Sequence, residues 1–590
     1  MFKKRFNKIK ILYIVLFFNH LLFAGDAISI DGLFEDWNQV DALYYDQVND
    51  ALNADYSTMK VTYDNEFLFI YFDFHNGEFL MQDWNEFHLY IDADNDSTTG
   101  NYVHGIGAEL DWTFGDRSGL KYVNDQQYEI YQNDLTLRIA PTITSSEFEI
   151  AIARTSLPLT LDGTQELTEF KLILSEVNEG GDLMPSEPGG ISFVIGEDLV
   201  LGPEGISLDK LSYNDIRLIS YNTWNEGILD PDRELHFKRI LQAIDPDIIA
   251  LQEHGEWEYI DDIIQSWFPD EQWYASWTYR DLVVLSRFSI IHDAYMDSER
   301  TMAVLLDTED ELGNNLLIFN SHLSCCDNNE SRQQQVDAFA GEWREWVISG
   351  TGPFEIDYAT PFIHVGDFNY VGYKKQVETI RIGDIEDEEQ YGPDFFPDWD
   401  STAIIDLFSR HTHKRMGYTW RKDESSFNPG KLDYVFYSDA TIDTAKHYIL
   451  NTLAMDDMTL DYYGLQWNDT QEASDHLPIV FDMSTQDNVG VIDSDILPQS
   501  LRLYPNYPNP FNSQTQLKFK ILIPTFLSMK IFDINGHEIK ILFSGQKERG
   551  TYSLKWDGKD SNGIPVASGV YFILMKTEKM IKTQKIILLE

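Results

Sequence analysis

Ile216-Arg-Leu-Ile-Ser-Tyr-Asn-Thr-Trp224, Arg233-Glu-Leu-His-Phe-Lys-Arg-Ile-Leu-Gln-Ala-Ile244 and Ile248-Ile-Ala-Leu-Gln-Glu253 follow one another in the middle of the chain. The outer two are short apolar runs that read as strands over Ile216–Tyr221 and Ile248–Leu251, and the segment between them reads as a helix. Strands and helices keep alternating to about Met483, which predicts a layered α/β domain over residues 214–483.

Outward from this block the pattern changes on both sides. Residues 26–200 break into short strand-like runs, such as Phe67-Leu-Phe-Ile-Tyr-Phe-Asp-Phe74 and Phe87-His-Leu-Tyr-Ile-Asp92, separated by turn residues, as in a β-sandwich. Pro and Gly around Pro185–Gly190 and Gly202–Gly205 mark the boundary. After a polar, aperiodic linker at 484–500, residues 501–590 return to short strands with glycine-rich turns, a second and smaller sandwich of immunoglobulin-like kind. The chain of 590 residues, 43% apolar and 24% charged, is therefore read as several packed domains and not as a disordered or fibrous protein.

The formal charge is −54, and it is unevenly spread: residues 26–499 carry −65, whereas 501–590 hold 13 basic against 7 acidic residues. A surface that acidic repels phosphate backbones at long range, so a polyanionic substrate needs help from a metal. The two cysteines, Cys325 and Cys326, exclude a disulfide-rich scaffold and a cysteine-ligated zinc module, and in an exported protein their adjacency predicts a vicinal disulfide. Export is predicted from residues 1–24, where Lys3, Lys4, Arg5, Lys8 and Lys10 precede the apolar Ile11–Phe18 and Leu21–Phe23, with Ala24 or Ala27 before the cleavage point. No segment reaches the ~20 apolar residues of a membrane span, so no stable membrane insertion is expected.

The chemistry gathers at the ends of the central strands, where ligands collect in α/β folds. Asn222 closes one strand, Gln252-Glu253 a second, Ser321-His322 a third and Gly366-Asp-Phe-Asn369 a fourth; Leu432-Asp-Tyr434 and Ser474-Asp-His476 complete the set. Carboxylates, amides and histidines without a thiolate suit a hard divalent cation and phosphate chemistry. In this order the segments resemble the endonuclease/exonuclease/phosphatase superfamily, the metal-dependent, DNase I-like phosphoesterases. The resemblance implies a four-layered α/β sandwich and hydrolysis assisted by Mg²⁺ or Mn²⁺. It also implies roles: Glu253 as the main metal ligand with Asn222 and Asp475 beside it, and Asp367 and Asn369 on the attacking water and the phosphate. His476 then contacts the scissile phosphate with Asp433 fixing its tautomer, and His322 is the second histidine. Deoxyribonucleases support that second histidine with a glutamate; here the same stretch offers Tyr279, Arg280 or Asp281.

In the first domain Asp92, Asp94 and Asp96 stand at i, i+2 and i+4 in Tyr90-Ile-Asp-Ala-Asp-Asn-Asp-Ser-Thr-Thr-Gly100, the spacing of a calcium loop, which predicts a structural Ca²⁺. Ile28-Ser-Ile-Asp-Gly-Leu-Phe-Glu-Asp-Trp37 resembles the opening of carbohydrate-binding modules of the family-nine type, which implies a glycan ligand, with Trp84 and Trp112 as candidate stacking surfaces. Leu503-Tyr-Pro-Asn-Tyr-Pro-Asn-Pro-Phe-Asn512 resembles the sorting domain of the type IX secretion system, which implies passage across an outer membrane. The expectation is a secreted or surface-borne phosphodiesterase acting first on nucleic acid. A sphingomyelinase-like lipid hydrolase or a phosphomonoesterase is the alternative within the class, and an inactive surface glycan-binding protein the alternative outside it.

Overall fold

The central helix forms over Glu234–Ile244 and buries Phe237, Ile240, Leu241 and Ile244, one stripe at i, i+3, i+4 and i+7. Asp245 ends it with a left-handed backbone (φ +54°), just ahead of Pro246. The strands beside it, Ile216–Asn222 and Ile248–Gln252, pair in parallel and are buried along their whole length, which accounts for their continuous apolar reading. This computed structural model describes residues 28–83, 85–123, 126–160, 167–196, 203, 205–255, 259–277, 281–296, 300–484, 501–503, 506, 510–521, 525–534, 536–547, 550–577 and 581–589. The expected signal peptide, most of the linker, Trp84, Tyr279 and Arg280 lie outside the described residues.

Two six-stranded sheets stack in the central domain. One runs in the order Tyr274–Trp277, Leu282–Ser286, Ile248–Gln252, Ile216–Asn222, Ile479–Ser484, Asp443–Ile449; the other runs Ile290–Tyr295, Thr301–Leu306, Leu316–His322, Phe362–Asp367, Asp433–Tyr437, Ile405–Asp406. Each holds one parallel pair, and in the second sheet it is Leu316–His322 with Phe362–Asp367. Leu218, Ala250, Val284, Val304, Ile318, Val365 and Val435 fill the space between the sheets. Helices Glu234–Ile244 and Ile260–Trp267 cover the first sheet, and Asn329–Ser349 and Lys374–Ile382 the second, each over its own apolar cluster. The domain is thus four-layered, helix on sheet on sheet on helix.

A buried ion pair pins the first sheet. Arg217 and Asp482 face each other in register, with Nε and Nη2 of Arg217 each 2.6 Å from a carboxylate oxygen. The remaining guanidinium donor caps the carbonyls of Leu208 and Ile244 at 2.6 Å, so the pair also ties the incoming chain and the helix end to the sheet.

The N-terminal region is a two-sheet sandwich. Ala42–Tyr45, Tyr56–Tyr63, Phe67–Phe74, Glu147–Ala153 and Arg138–Ala140 form one sheet; Leu183–Met184, Glu169–Glu176, Phe87–Asp92, Leu110–Thr113, Ser118–Val123 and Gln126–Tyr131 form the other, with Ile191–Val194 also paired to Glu169–Glu176. Strand Phe67–Phe74 is buried on both faces. Leu68, Ile70 and Phe72 point into the sandwich, while Phe67, Phe69 and Tyr71 join the cluster that continues into the central domain. Its unbroken aromatic run follows from this double burial. Trp112 is 1% exposed and lies in the sandwich core, so the expected sugar-stacking surface is not offered there: its ring is consumed by packing between the sheets.

The opening segment joins the two domains. Buried Glu149 accepts hydrogen bonds from the backbone N–H of Asp31 (2.8 Å) and Gly32 (2.7 Å) and from the Trp37 indole (2.9 Å). Ile30 bonds across to the central domain, its N–H to the Arg415 carbonyl (2.9 Å) and its carbonyl to the Gly417 N–H (2.8 Å). Thr142 and Thr144 add bonds to the carbonyls of Tyr370 (3.0 Å) and Gly372 (2.8 Å). The C-terminal region forms two further sheets, Leu501–Leu503 with Thr515–Ile521 and Gly550–Trp556, and Phe511–Asn512 with Ile581–Leu589, Gly569–Lys576, Thr525–Asp533 and Glu538–Lys547, around its own core.

Candidate active site

The two parallel pairs end on the same side of the stacked sheets, and there the polar strand ends meet. Beneath them the two sheets are joined by a buried amide pair: Gln252 donates to Asn320 Oδ1 (2.8 Å), and Asn320 donates to the carbonyls of Leu251 (2.9 Å) and Val283 (3.1 Å). This is the work of the glutamine in Gln252-Glu253; it holds the floor and leaves Glu253 to face the cleft. Glu253, Asp281 and Asn369 all take left-handed backbone conformations, with φ of +55°, +68° and +52°. Such strain in non-glycine residues concentrates where a side chain must be aimed out of a strand end.

Asp367 is the centre of the site. Its Oδ2 accepts the Asn222 amide at 3.0 Å, and its Oδ1 accepts the Asn369 backbone N–H at 2.9 Å. Two imidazoles approach the same Oδ2, His322 Nε2 at 3.7 Å and His476 Nε2 at 3.8 Å. Each ring is oriented from behind by a carboxylate on Nδ1, Asp281 for His322 and Asp433 for His476, both at 2.8 Å. Of the three residues open to His322 in the sequence, Asp281 is its partner among the described residues. Asp433 is itself held: its N–H and that of Leu432 donate to Thr419 Oγ1 at 2.9 and 3.0 Å. Ser474 donates to the Asn222 carbonyl (2.8 Å) and accepts the His476 N–H (3.1 Å), which fastens the last strand's entry to the first strand's end.

Burial and charge oppose each other here. Burial disfavours the charged His476 ring, yet the carboxylates of Asp433 and Asp367 override it and hold His476 up to about 10. His322 is also raised: burial works against its cation, and the Asp281 hydrogen bond with the charges of Asp367 and Asp281 outweighs it. Burial pushes Asp367 up to about 6, against the pull of His476. The His476 ring is therefore cationic and Asp367 an anion at neutral pH, with the His322 ring shifted toward its cation beside them: proton donors and a base in one cleft.

Glu253 accepts the Asn222 amide (3.1 Å) and the Asn225 N–H (2.9 Å). The Asn222 oxygen is taken by the Trp224 N–H at 2.9 Å, so its amide nitrogen faces the two carboxylates. Asp475 accepts from the Trp420 indole at 3.3 Å; its other oxygen is buried and, among the described residues, without a hydrogen-bond partner, and burial together with Glu253 raises its carboxyl. Glu253, His322 and Asp367 offer ligand atoms within 4.8 Å of one another, as do Asp367, Asp433 and His476. An oxygen-rich set with an orphaned buried carboxylate oxygen fits a hard divalent cation. Glu253 and Asp475 are the residues that would hold it.

The cleft above these groups has a volume of about 720 Å³, and residues that sequence reasoning did not single out build its walls. Trp224 and Trp420 flank the carboxylates, with the Lys422 ammonium 4.8 Å from the Trp224 ring. Gln82 and Thr142 reach in from the N-terminal sandwich, and Phe427 lies under the Arg117 guanidinium of that domain at 3.9 Å. No local signal marks them, because they belong to loops of two domains that only packing brings together. Cys325 and Cys326 also line the cleft. The expected disulfide is not formed: both are free thiols, and Cys326 is pushed up to about 11 by its hydrogen bond with Cys325. Adjacent Cα atoms lie ~3.8 Å apart across a trans peptide, short of the ~4.4–6.8 Å of ordinary disulfides.

In the sandwich, Asp92 and Asp94 come together with Glu109, each within 4.8 Å, while Asp96 turns away and accepts from the N–H (3.0 Å) and hydroxyl (2.6 Å) of Thr98. The expected trio is thus altered: Glu109, from the neighbouring strand region, occupies the place read for Asp96, whose exposed carboxylate is spent on its own turn.

No curated protein matches this chain at a significant level. Among solved structures, the human Nocturnin catalytic domain with bound sulfate is similar at 16% identity, over 47% of this chain and 97% of that one, with a TM-score of 0.30. TDP2 of D. rerio, complexed with a single-strand DNA product, is similar at 14% identity over 46% and 99%, with a TM-score of 0.31. The 3′ phosphatase NExo from Neisseria, bound to a product DNA hairpin, is similar at 13% identity over 46% and 99%, with a TM-score of 0.30. Residues 512–580 match the FlgD Ig-like domain. Residues 219–476 match the Endonuclease/Exonuclease/phosphatase family, and the central domain has the DNase I-like fold.

Proposed function

We propose that the protein is an exported, divalent-metal-dependent phosphodiesterase that acts on nucleic acid. The observation that carries the reading is the convergence of two carboxylate-backed imidazoles, His322 and His476, on one carboxylate, Asp367. A phosphate between the two carboxylate-backed imidazoles has its charge met from both sides, His476 as a cation and His322 as a hydrogen-bond and proton donor. Asp367, an anion above about pH 6, takes a proton from the attacking water, whose oxygen bonds to phosphorus as the ester P–O bond breaks. His322 returns a proton to the departing oxygen. His476, cationic up to about pH 10, holds the phosphoryl oxygens with the amide of Asn369, while the Asn222 amide orients Asp367 and Glu253. Glu253 and Asp475 would hold Mg²⁺ or Mn²⁺, which when bound would supply Lewis-acid neutralisation of the phosphoryl charge.

Partly exposed Trp224, Trp420 and Phe427 favour nucleic acid over an inositol phosphate, because bases stack on aromatic faces whatever their sequence. The acidic body favours single strands led in by local contacts over duplex held by a basic surface. Single-stranded and duplex DNA, RNA, sphingomyelin, inositol phosphates, bis-p-nitrophenyl phosphate and its monoester, each with Mg²⁺, Mn²⁺ or Ca²⁺, test the assignment. Diester cleavage with Mg²⁺ or Mn²⁺, fastest on DNA or RNA, is expected; turnover confined to monoesters or to sphingomyelin would overturn it.

Export by the basic, apolar N-terminus and the C-terminal sorting segment belongs to the same reading, with the type IX secretion machinery as partner. Intact mass of the protein from its native host should show a species starting near Gly25 or Ile28 and ending near 484–500. A calcium ion at Asp92, Asp94 and Glu109 completes the proposal, since a buried oxygen of each of Asp92 and Glu109 has no hydrogen-bond partner among the described residues.

A further inference from the structure

At the far end of the sandwich four carboxylates meet that no sequence motif links. Asp46 follows strand Ala42–Tyr45, Asp50 and Asp55 belong to the loop leading into Tyr56–Tyr63, and Asp182 precedes Leu183–Met184 of the opposite sheet. Asp46, Asp50 and Asp182 each present an oxygen within 4.8 Å of the other two. Asp46 is 9% and Asp55 2% exposed, and Oδ2 of Asp46 and Oδ1 of Asp55 are buried without a hydrogen-bond partner among the described residues.

The partners these groups do have are few and neutral. Asp46 Oδ1 accepts the Ser186 hydroxyl at 3.3 Å, Asp55 Oδ2 the Asn49 N–H at 2.8 Å, and Asp182 the N–H groups of Tyr56 and Leu183, both at 2.6 Å. The charges acting on Asp46 are those of Asp182 and Asp50, and those acting on Asp182 are Asp50 and Asp55. Carboxylates gathered in this way, with neutral donors and other carboxylates around them, are costly to bury unless a cation lies among them.

We infer that Asp46, Asp50 and Asp182, with Asp55 beside them, form a Ca²⁺ site that clips the two sheets of the sandwich together. An all-oxygen set excludes a preference for zinc or copper. Oxygens around a Ca²⁺ bound at ~2.3–2.6 Å lie within roughly 5 Å of one another, and the exposed side of Asp50 leaves room for the waters that complete its 6–8 ligands. The site spans residues from both sheets, next to the bond from the Leu52 N–H to the Gly180 carbonyl (2.8 Å). It is separate from the Asp92 cluster and from the catalytic cleft.

The test is calorimetric titration of the full chain, stripped with EDTA, with CaCl₂, alongside thermal unfolding with and without 1 mM CaCl₂. Asp46→Asn and Asp50→Asn should each bind one Ca²⁺ fewer per chain than the wild type, or bind it at least about tenfold more weakly, and lose the calcium-dependent rise of the sandwich transition. Asp92→Asn should remove a different site and leave this one intact. Asp50 is exposed, so its variant decides the matter even where Asp46→Asn does not fold. Wild-type stoichiometry, affinity and calcium-dependent stabilisation in folded Asp50→Asn would overturn the inference. So would a wild type that no calcium concentration stabilises.

Discussion

Asp281→Asn removes one charge and no volume, and it tests the assignment of His322 as the acid for the leaving group. Asp281 accepts from His322 Nδ1 at 2.8 Å, a charge-assisted bond of ~1.5–3 kcal/mol when the ring is cationic. The Asp281 side chain is 30% exposed, so solvent screens it and the lower half of that range applies, about 1.5–2 kcal/mol, or roughly 10–30-fold in rate. The sign follows from the direction of the shift. His322 lies above its ordinary value, so its proton is held to higher pH than on a free imidazole and is lost as pH rises through the raised pKa. Without Asp281 that basic limb should move down by ~1 unit or somewhat more. kcat/KM against pH should be measured on an oligonucleotide, whose alkoxide must be protonated, and on bis-p-nitrophenyl phosphate, whose phenolate need not be. The expected result is the loss and the displaced limb on the oligonucleotide, with a loss below about threefold on the p-nitrophenyl diester. Equal losses on both, or an unmoved limb, would refute the assignment.

Glu253→Gln should lower kcat by ~10² or more, and EDTA should abolish wild-type turnover until Mg²⁺ or Mn²⁺ is restored; full activity in chelator would exclude the metal site. Burial holds His364 and His411 down to about 3, so the folded chain binds fewer protons than the unfolded one between pH 3 and 6.5. Their contribution is complete above about 6.5 and falls with decreasing pH by roughly 1.4 kcal/mol per unit for each, measurable as a drop in urea midpoint that His364→Gln should flatten. Asp482→Asn strands a buried Arg217 and should cost ~3–5 kcal/mol, while Arg217→Met with Asp482→Leu should cost far less; equal costs would mean that the pair's charge is not what matters. Phe427→Ala should raise KM for single-stranded DNA about tenfold with kcat unchanged, and an unaltered KM would remove the stacking subsite.

Much of this molecule is local in origin and was legible as such. The helix Glu234–Ile244 is written in its own spacing, and the strand ends at Asn222, Glu253, His322 and Asp367 are visible because an apolar run stops there at a polar residue. Such signals depend on neighbours a few residues away, which the chain carries with it. The partner of His322 did not read out, since choosing among Tyr279, Arg280 and Asp281 depends on the left-handed turn at Asp281. Glu109 replaces Asp96 beside Asp92 because a neighbouring strand region delivers it from across the sheet. Trp112 looked like a surface ring and is core, since an alternating pattern does not say which face a second sheet will cover. The double burial of Phe67–Phe74, the sandwich residues in the cleft wall, and the meeting of Asp46 with Asp182 depend on contacts between segments far apart in sequence. Those contacts were decided by the packing of whole layers, where burial, and not periodicity, selects what touches what.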